Sequence, residues 1–142
     1  MRIPRIYHSS VIALHHEFAL DEDAANHVGR VLRMPVGSEL LLFNGDGFNY
    51  PATISYIDKK RVMVTATSQL TNPVESPVSI HLGQGISRGD RMDFAIQKAV
   101  ELGVTEITPL FTERCGVKLD GERLQKRNEQ WQKIAISACE QS

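Results

Sequence analysis

The sequence predicts an α+β chain in two parts: a small antiparallel β-meander or barrel, then a β-α-β-α segment of an α/β domain. Three observations predict it. Apolar residues alternate with period two through much of residues 40–66. The stretch Thr71-Asn72-Pro73-Val74-Glu75-Ser76-Pro77 has two prolines and no apolar period, which marks a domain boundary. Beyond it, short apolar runs alternate with helical stripes. The expected division is residues 1–72, a linker at 73–77, and residues 78–142.

In the first part, Asp21-Glu22-Asp23 places acidic residues at a helix start, where the macrodipole favours them. Ala24, Val28, Val31 and Leu32 then form an apolar face, and Pro35 and Gly37 stop the helix. Leu40 to Phe43 reads as a strand, and Asn44-Gly45-Asp46-Gly47 as a turn with positive φ. Ala52, Ile54 and Tyr56 alternate in the next strand, Asp58-Lys59-Lys60 turns, and Val62, Val64 and Ala66 alternate again.

In the second part, Val78 to Leu82 reads as a strand ending at Gly83. Asp90 is the expected N-cap of a helix whose face is Met92, Ala95, Ile96, Ala99 and Val100, with Gly103 ending it. Glu106 to Phe111 is a second strand, with Pro109 suiting an edge or a bend. Asp120 opens a last helix with Leu124, Trp131, Ile134, Ala135 and Ala138 near one stripe, and Lys126, Arg127 and Lys133 mostly off it. Strand, helix, strand in this order implies a right-handed crossover and a parallel pair.

Composition narrows the function. At 142 residues, 42% apolar and 23% charged, the chain is globular. No run approaches a membrane span, no apolar segment follows the N-terminus as in a signal peptide, and Cys115 and Cys139 lack metal-ligand spacing, so reduced thiols in the cytoplasm are the expectation. Sixteen basic residues stand against 17 acidic ones, so bulk charge does not announce a nucleic-acid binder. A phosphate-binding surface needs only a few convergent cations, however.

Three clusters are candidates for chemistry. Arg2 and Arg5 on an extended segment, with Arg30 and Arg33 one helical turn apart, can converge with His8 on phosphates, a task suited to the planar guanidinium. A solvated surface is the alternative. Lys98, Glu101, Glu106, Glu113 and Arg114 form the second set, in which Lys98 and Glu101 can simply pair. Arg88, Arg91, Arg114 and Lys118 fall on or near loops beyond strand C-termini, where α/β sheets gather ligands. The third is Gly83-Gln84-Gly85-Ile86-Ser87-Arg88-Gly89, a variant dinucleotide fingerprint weakened by Asp90 and Asp93, which place negative charge where a pyrophosphate would sit. His15-His16-Glu17 has no companion cluster, and no metal site is expected.

Several runs, in order, resemble the ribosomal RNA small subunit methyltransferase E family. They are Met1-Arg2-Ile3-Pro4-Arg5-Ile6-Tyr7-His8, Asp23 to Met34, Ile80 to Gln84, Ser87-Arg88-Gly89-Asp90-Arg91-Met92, Gln97 to Val104, Glu113 to Leu119, and Gln130 to Ala135 with Glu140 and Gln141. The resemblance implies an N-terminal PUA-like β-barrel that helps hold RNA, then the first β-α-β-α portion of a SPOUT-class methyltransferase domain. It implies S-adenosylmethionine as methyl donor, N3 of one uridine in 16S ribosomal RNA as acceptor, the small ribosomal subunit as partner, and a homodimer. The family's cofactor site is a C-terminal trefoil knot with a Gly-Pro-Glu-Gly-Gly type run and an Arg-Thr-Glu-Thr-Ala type segment, and neither occurs in this sequence. The expectation is therefore a fragment, lacking the knot, that binds S-adenosylmethionine negligibly by itself.

On this resemblance Arg114, Glu101 and Lys98 are the catalytic-site candidates, with Arg114 holding RNA phosphate or stabilising a uracil anion and the other two supporting the domain. Arg2, Arg5, His8, Arg30, Arg33, Arg88, Arg91 and Lys118 are RNA-binding candidates, and Glu140 and Gln141 are possible pocket-edge residues. Two alternatives stay open: a non-catalytic RNA-binding module, and a dinucleotide-dependent enzyme built on Gly83, Gly85 and Gly89.

Overall fold

The computed structural model describes residues 2–72 and 77–141. The chain divides into two compact units, Met1–Pro73 and Val74–Ser142. Most of the expected linker, residues 73–76, lies outside the described residues.

The first unit contains β1 (Arg5–Tyr7), β2 (Glu17–Ala19), α1 (Glu22–Asn26), a π-helical turn (His27–Val31), β3 (Glu39–Phe43), β4 (Phe48–Ile57), β5 (Val62–Ala66) and β6 (Leu70–Thr71). Its sheet runs β1-β3-β4-β5-β2, with β6 paired to the start of β4. Among these strands only β1 departs from antiparallel pairing: it lies parallel to β3, with Arg5 opposite Leu41. Leu40 and Leu42, then Tyr50, Ala52 and Ile54, then Val62, Val64 and Ala66 turn inward at every second position, and α1 with the π-turn adds Ala24, Ala25 and Val28. Gly45 and Gly47 both have φ near +90°, as the turn between β3 and β4 requires.

Two phases differ from expectation. Tyr56 is 44% exposed, because the β4–β5 register shifts between Ile54 and Tyr56. The bulge admits an extra residue, so Ile57 takes the inward place instead. Val31 is 63% exposed and Leu32 also faces outward. The π-turn, closed by Leu32 N–H donating to His27 O at 2.8 Å, winds more slowly than an α-helix and carries both residues off the Ala24–Val28 face.

The second unit contains β7 (His81–Gly85), α2 (Asp90–Glu101), β8 (Glu106–Leu110) and α3 (Gly121–Gln141). β7 and β8 pair in parallel, His81 opposite Glu106 and Gly85 opposite Leu110. The first strand thus lies later than expected, with Val78 and Ile80 exposed ahead of it. Gly83 does not end the strand. A Cβ there would come within 3.0 Å of Leu110 Cδ1, so this glycine admits the neighbouring strand's side chain. Ile86, Met92, Ile96 and Trp131 form the core of this unit, with Ile134 and Ala135 packed on it. The N-cap of α2 is Gly89, not Asp90. Its φ of +52° favours a residue without a Cβ, and Asp90 becomes the first helical residue, where its charge still meets the positive helix end.

Candidate nucleic-acid interface and catalytic loops

The structure separates the N-terminal cations that the sequence grouped. Arg5 lies 4.5 Å over the Phe43 ring, and its Nη2 donates to Asn49 Oδ1 at 3.5 Å. Arg30 lines a cleft of about 1010 Å³ between α1 and the β4–β5 turn, beside Ile57. Asn49 and Ile57 stand near opposite ends of β4, roughly 25 Å apart at about 3.3 Å per residue, so Arg5 and Arg30 belong to opposite ends of that strand. The expected pairing of Arg30 with Arg33 on one helical face also fails. Arg30 sits in the π-turn, and Arg33 lies beyond it at φ +51°. Both are exposed, as is Arg2.

His8 is 5% exposed. Its ring packs on Phe18 with centroids 4.9 Å apart, and its Nδ1 lies 3.6 Å from Asp21 Oδ1. Asp21 Oδ2 also accepts from Ser9 N–H at 2.7 Å. The imidazole therefore ties the end of β1 to the start of α1 and offers almost no surface to a ligand.

Arg30 has neighbours that sequence reading treated only as a turn. Lys59, Lys60 and Arg61 line the same cleft, along with the acidic Glu22, Asp23 and Asp58. Asp58 organises this turn: its Oδ1 accepts from Lys60 N–H at 2.7 Å and Arg61 N–H at 2.8 Å. The Lys60 N–H bond, then the Arg61 N–H bond, hold the Asp58 carboxyl below the ordinary carboxylate range; desolvation opposes them, and Arg61's charge adds to the lowering. Arg61 is further held 5.6 Å over the Tyr56 ring. Among the described residues the side chains of Lys59, Lys60 and Arg30 have no hydrogen-bond or ion-pair partner. The available signal was three consecutive cations at 59–61, far from Arg30 in sequence and joined to it only by the fold.

In the second unit, Lys98 Nζ pairs with Glu101 Oε2 at 3.0 Å one helical turn away and lies 5.6 Å from the Phe94 ring. This is an exposed surface pair. Glu106 lies 3.9 Å from His81 Nδ1, at the opposite end of the sheet from the loops. Beyond the C-terminal ends of β7 and β8 the two loops come together: Ile86, Ser87, Arg88, Gly89, Val117 and Leu119 line a pocket of about 190 Å³ with Arg127 and Trp131 of α3. Glu113, Arg114 and Lys118 are exposed on the second loop, and Arg91 on the first turn of α2. Arg88 is committed internally: its Nη2 and Nε donate to Gly116 O at 2.9 and 3.3 Å. Arg127 is exposed, off the buried stripe, and also lines the pocket. Glu140 is half-buried and Gln141 exposed at the end of α3.

The dinucleotide alternative does not survive this geometry. Gly83 and Gly85 lie inside β7, and Cβ atoms on them would meet Leu110 at 3.0 Å and Thr112 at 3.3 Å. They accommodate side chains of β8 and its loop, with no phosphate cradle between them. Among the described residues no group of three His, Cys, Asp or Glu side chains is placed to hold a metal ion, and no helix is long and apolar enough to cross a membrane.

Comparison with known proteins agrees with both units. A family model described as an RNA methyltransferase PUA domain matches residues 20–66, and one described as an RNA methyltransferase domain matches residues 74–142. The chain is 39% identical over 140 residues to the ribosomal RNA small subunit methyltransferase E of Buchnera aphidicola, covering 99% of this chain and 55% of that protein. It is 30% identical to the Bacillus subtilis protein of the same name, covering 88% of this chain and 49% of that one. It superposes with a TM-score of 0.93 on the Neisseria gonorrhoeae methyltransferase of that name, solved bound to S-adenosyl methionine, at 43% identity over 99% of this chain and 57% of that one. A Legionella pneumophila structure with bound cofactor SAM gives a TM-score of 0.95 at 48% identity, covering 58% of that chain. The chain thus spans about half the length of the relatives it matches. Two matched domains in the same order, supported along nearly the whole chain by relatives of one name, place it in a single family: the chain belongs to the ribosomal RNA small subunit methyltransferase E family.

Proposed function

We propose that this chain holds ribosomal RNA and frames the acceptor side of an S-adenosylmethionine-dependent methyltransferase that modifies N3 of one uridine in 16S ribosomal RNA, acting as a cytoplasmic homodimer. The observation that carries the reading is the near-complete superposition on the S-adenosyl methionine-bound Neisseria structure. S-adenosylmethionine, when bound, supplies an electrophilic methyl group. The 190 Å³ pocket is smaller than the roughly 300–1,000 Å³ of ordinary ligand sites, so these residues alone do not enclose that cofactor.

What this chain supplies is charge and placement. Uracil N3–H is a weak acid, so its loss needs either a base or a cation beside the developing anion. Arg114, exposed on the loop beyond β8, takes the second role in this reading, and Arg91 and Lys118 hold flanking phosphates. In the first unit, Arg30 with Lys59, Lys60 and Arg61 forms one phosphate-binding patch, and Arg2 and Arg5 form another. Lys98 and Glu101 support the fold of α2.

The test has two arms. In a full-length protein carrying this sequence, Arg114→Ala is expected to lower methyl transfer to 16S ribosomal RNA at least roughly a hundredfold, the effect of losing one charge-stabilising donor. Unchanged transfer removes Arg114 from the reaction. In this chain, Lys59→Glu with Lys60→Glu is expected to weaken binding of a 16S fragment and to shallow its salt dependence by roughly two phosphate contacts. If RNA binding is strong but full-length protein transfers no methyl group, the RNA-binding module is the correct reading.

A further inference from the structure

The loop that carries Arg114 is held across the sheet most strongly by one side chain. Arg88 Nη2 and Nε both donate to the Gly116 carbonyl, at 2.9 and 3.3 Å. The guanidinium lies flat against that residue: a Cβ on Gly116 would stand 3.1 Å from Nε and 3.2 Å from Nη2. Next to it, the Cys115 thiol lies 3.4 Å from Ile86 O and 3.3 Å from Val117 O, and its backbone N–H closes a turn onto Thr112 O at 3.0 Å. Arg88 is itself anchored, because its carbonyl accepts from Arg91 N–H at 3.3 Å as α2 begins.

From this geometry we infer that Arg88 is a positioning residue: by gripping the Gly116 carbonyl it fixes the loop from Thr112 to Leu119 and so sets where Arg114 stands. The inference rests on the proposed role of Arg114. A charge-assisted pair of bonds to one carbonyl is a strong tether, and here it adds to the packing of Cys115, Val117 and Leu119 against the core of this unit. The planar fork is what permits two donors of one side chain to share that oxygen, and a lysine ammonium supplies a single donor to it at best geometry. Gly116 lets the guanidinium come this close, since a Cβ there would make it shift by a few tenths of an ångström and loosen its grip on the carbonyl.

The two cysteines provide a readout that does not depend on activity. Cys115 is in the tethered loop, and Cys139 lies on α3 as an internal reference. In this chain, Arg88→Ala is expected to raise the alkylation rate of Cys115 by iodoacetamide roughly tenfold, with Cys139 unchanged and Trp131 fluorescence native, as the lost tether lets the loop open. Arg88→Lys should recover part of the protection, and Gly116→Ala should mimic the loss without touching any charge. In the full-length protein, Arg88→Ala should lower kcat for RNA methylation while leaving KM for RNA and its salt dependence within about twofold, because the phosphate-contact count is unaltered.

Unchanged Cys115 alkylation overturns the tether. A rise in KM with a shallower salt dependence and unchanged alkylation identifies Arg88 as a phosphate ligand and overturns it too. Faster alkylation with an unaltered kcat, where Arg114→Ala does reduce kcat, overturns the positioning role while leaving Arg114 in place. If Arg114→Ala has no effect, the failure belongs to the proposed role of Arg114, and the alkylation arm still decides the tether.

Discussion

The two units bury apolar surface by different means. The first wraps six strands and a short helix around one core, in which Ile6, Val28, Leu42, Val64 and Ala66 are wholly buried. The second has a two-stranded parallel sheet and depends on α2 and α3 to cover its core, leaving Phe94, Leu102 and Phe111 exposed. Parallel strands are stable when both faces are covered, so burial there follows helical stripes more than strand alternation. The same contrast governs where cations sit. In the first unit they are fixed by turns and side-chain caps, as Asp58 fixes Lys59 to Arg61. In the second they ride on loops beyond the strand ends, and one of their number is spent holding a loop in place.

The largest effect that tests this contrast is a cavity in each core. Leu42→Ala is expected to destabilise the first unit by about 2–5 kcal/mol, and Met92→Ala the second by a similar amount. Trp131 is the chain's single tryptophan and lies in the second core, so its emission reports that unit alone. Leu42→Ala should lower the thermal midpoint of the strand-dominated circular dichroism signal and leave the Trp131 midpoint in place, and Met92→Ala should do the reverse. Both midpoints moving together in either variant would mean that the units melt as one cooperative body.

A smaller effect comes from the polar edge of the first core. Tyr50 is buried, its hydroxyl donates to Asp46 Oδ2, and it accepts from Gln69 Nε2 at 3.2 Å. The bond to Asp46 raises its pKa most, burial and the Asp46 charge add to that, and the Gln69 bond opposes it. A raised folded pKa makes this a contribution fully present below the unfolded value of about 10 and lost as pH climbs through the folded one. Tyr50→Phe should therefore cost about 1 kcal/mol at neutral pH and flatten the alkaline fall in stability. A midpoint that declines as steeply above pH 10 in the variant as in the parent would assign that decline to other groups.

Sequence alone reached furthest where local chemistry decides the structure. Gly45 and Gly47 announced their turn, and the Leu40, Ile54 and Val64 alternation announced the core. It went astray where tertiary pairing adds a residue to a strand or a turn to a helix. The bulge after Ile54 and the π-turn at His27 each admit one extra residue that no local signal marks, and each shifts the phase of the residues that follow. Gly83 looked like a strand end because its reason for being glycine, the Leu110 side chain that reaches over it from the neighbouring strand, lies 27 positions away. The candidate site suffered in the same way. Arg30 and Lys59 to Arg61 are neighbours only once β4 and β5 have formed. Arg88 read as a free loop cation because its partner is a backbone carbonyl, which no residue type advertises.

The smallest expected effect bears on the cationic turn itself. Asp58 is exposed, and its carboxylate is held below the ordinary range by the Lys60 and Arg61 backbone N–H groups. A lowered folded pKa makes this a contribution present above the unfolded value of about 3.9 and lost as pH falls through the folded one. Asp58→Asn keeps an oxygen able to accept both N–H bonds and removes the charge together with the Oδ2 acceptor of Arg61 Nε. At pH 7 its thermal midpoint should lie slightly below the parent's, and the two curves should converge on acidification, as the parent's own carboxylate is protonated. A gap that persists at low pH would show that the side chain's shape, not its charge, organises the turn. A variant indistinguishable from the parent at every pH would mean that Lys59, Lys60 and Arg61 are presented by the β4–β5 pairing alone, and the contrast with the loop held by Arg88 would then be sharper still.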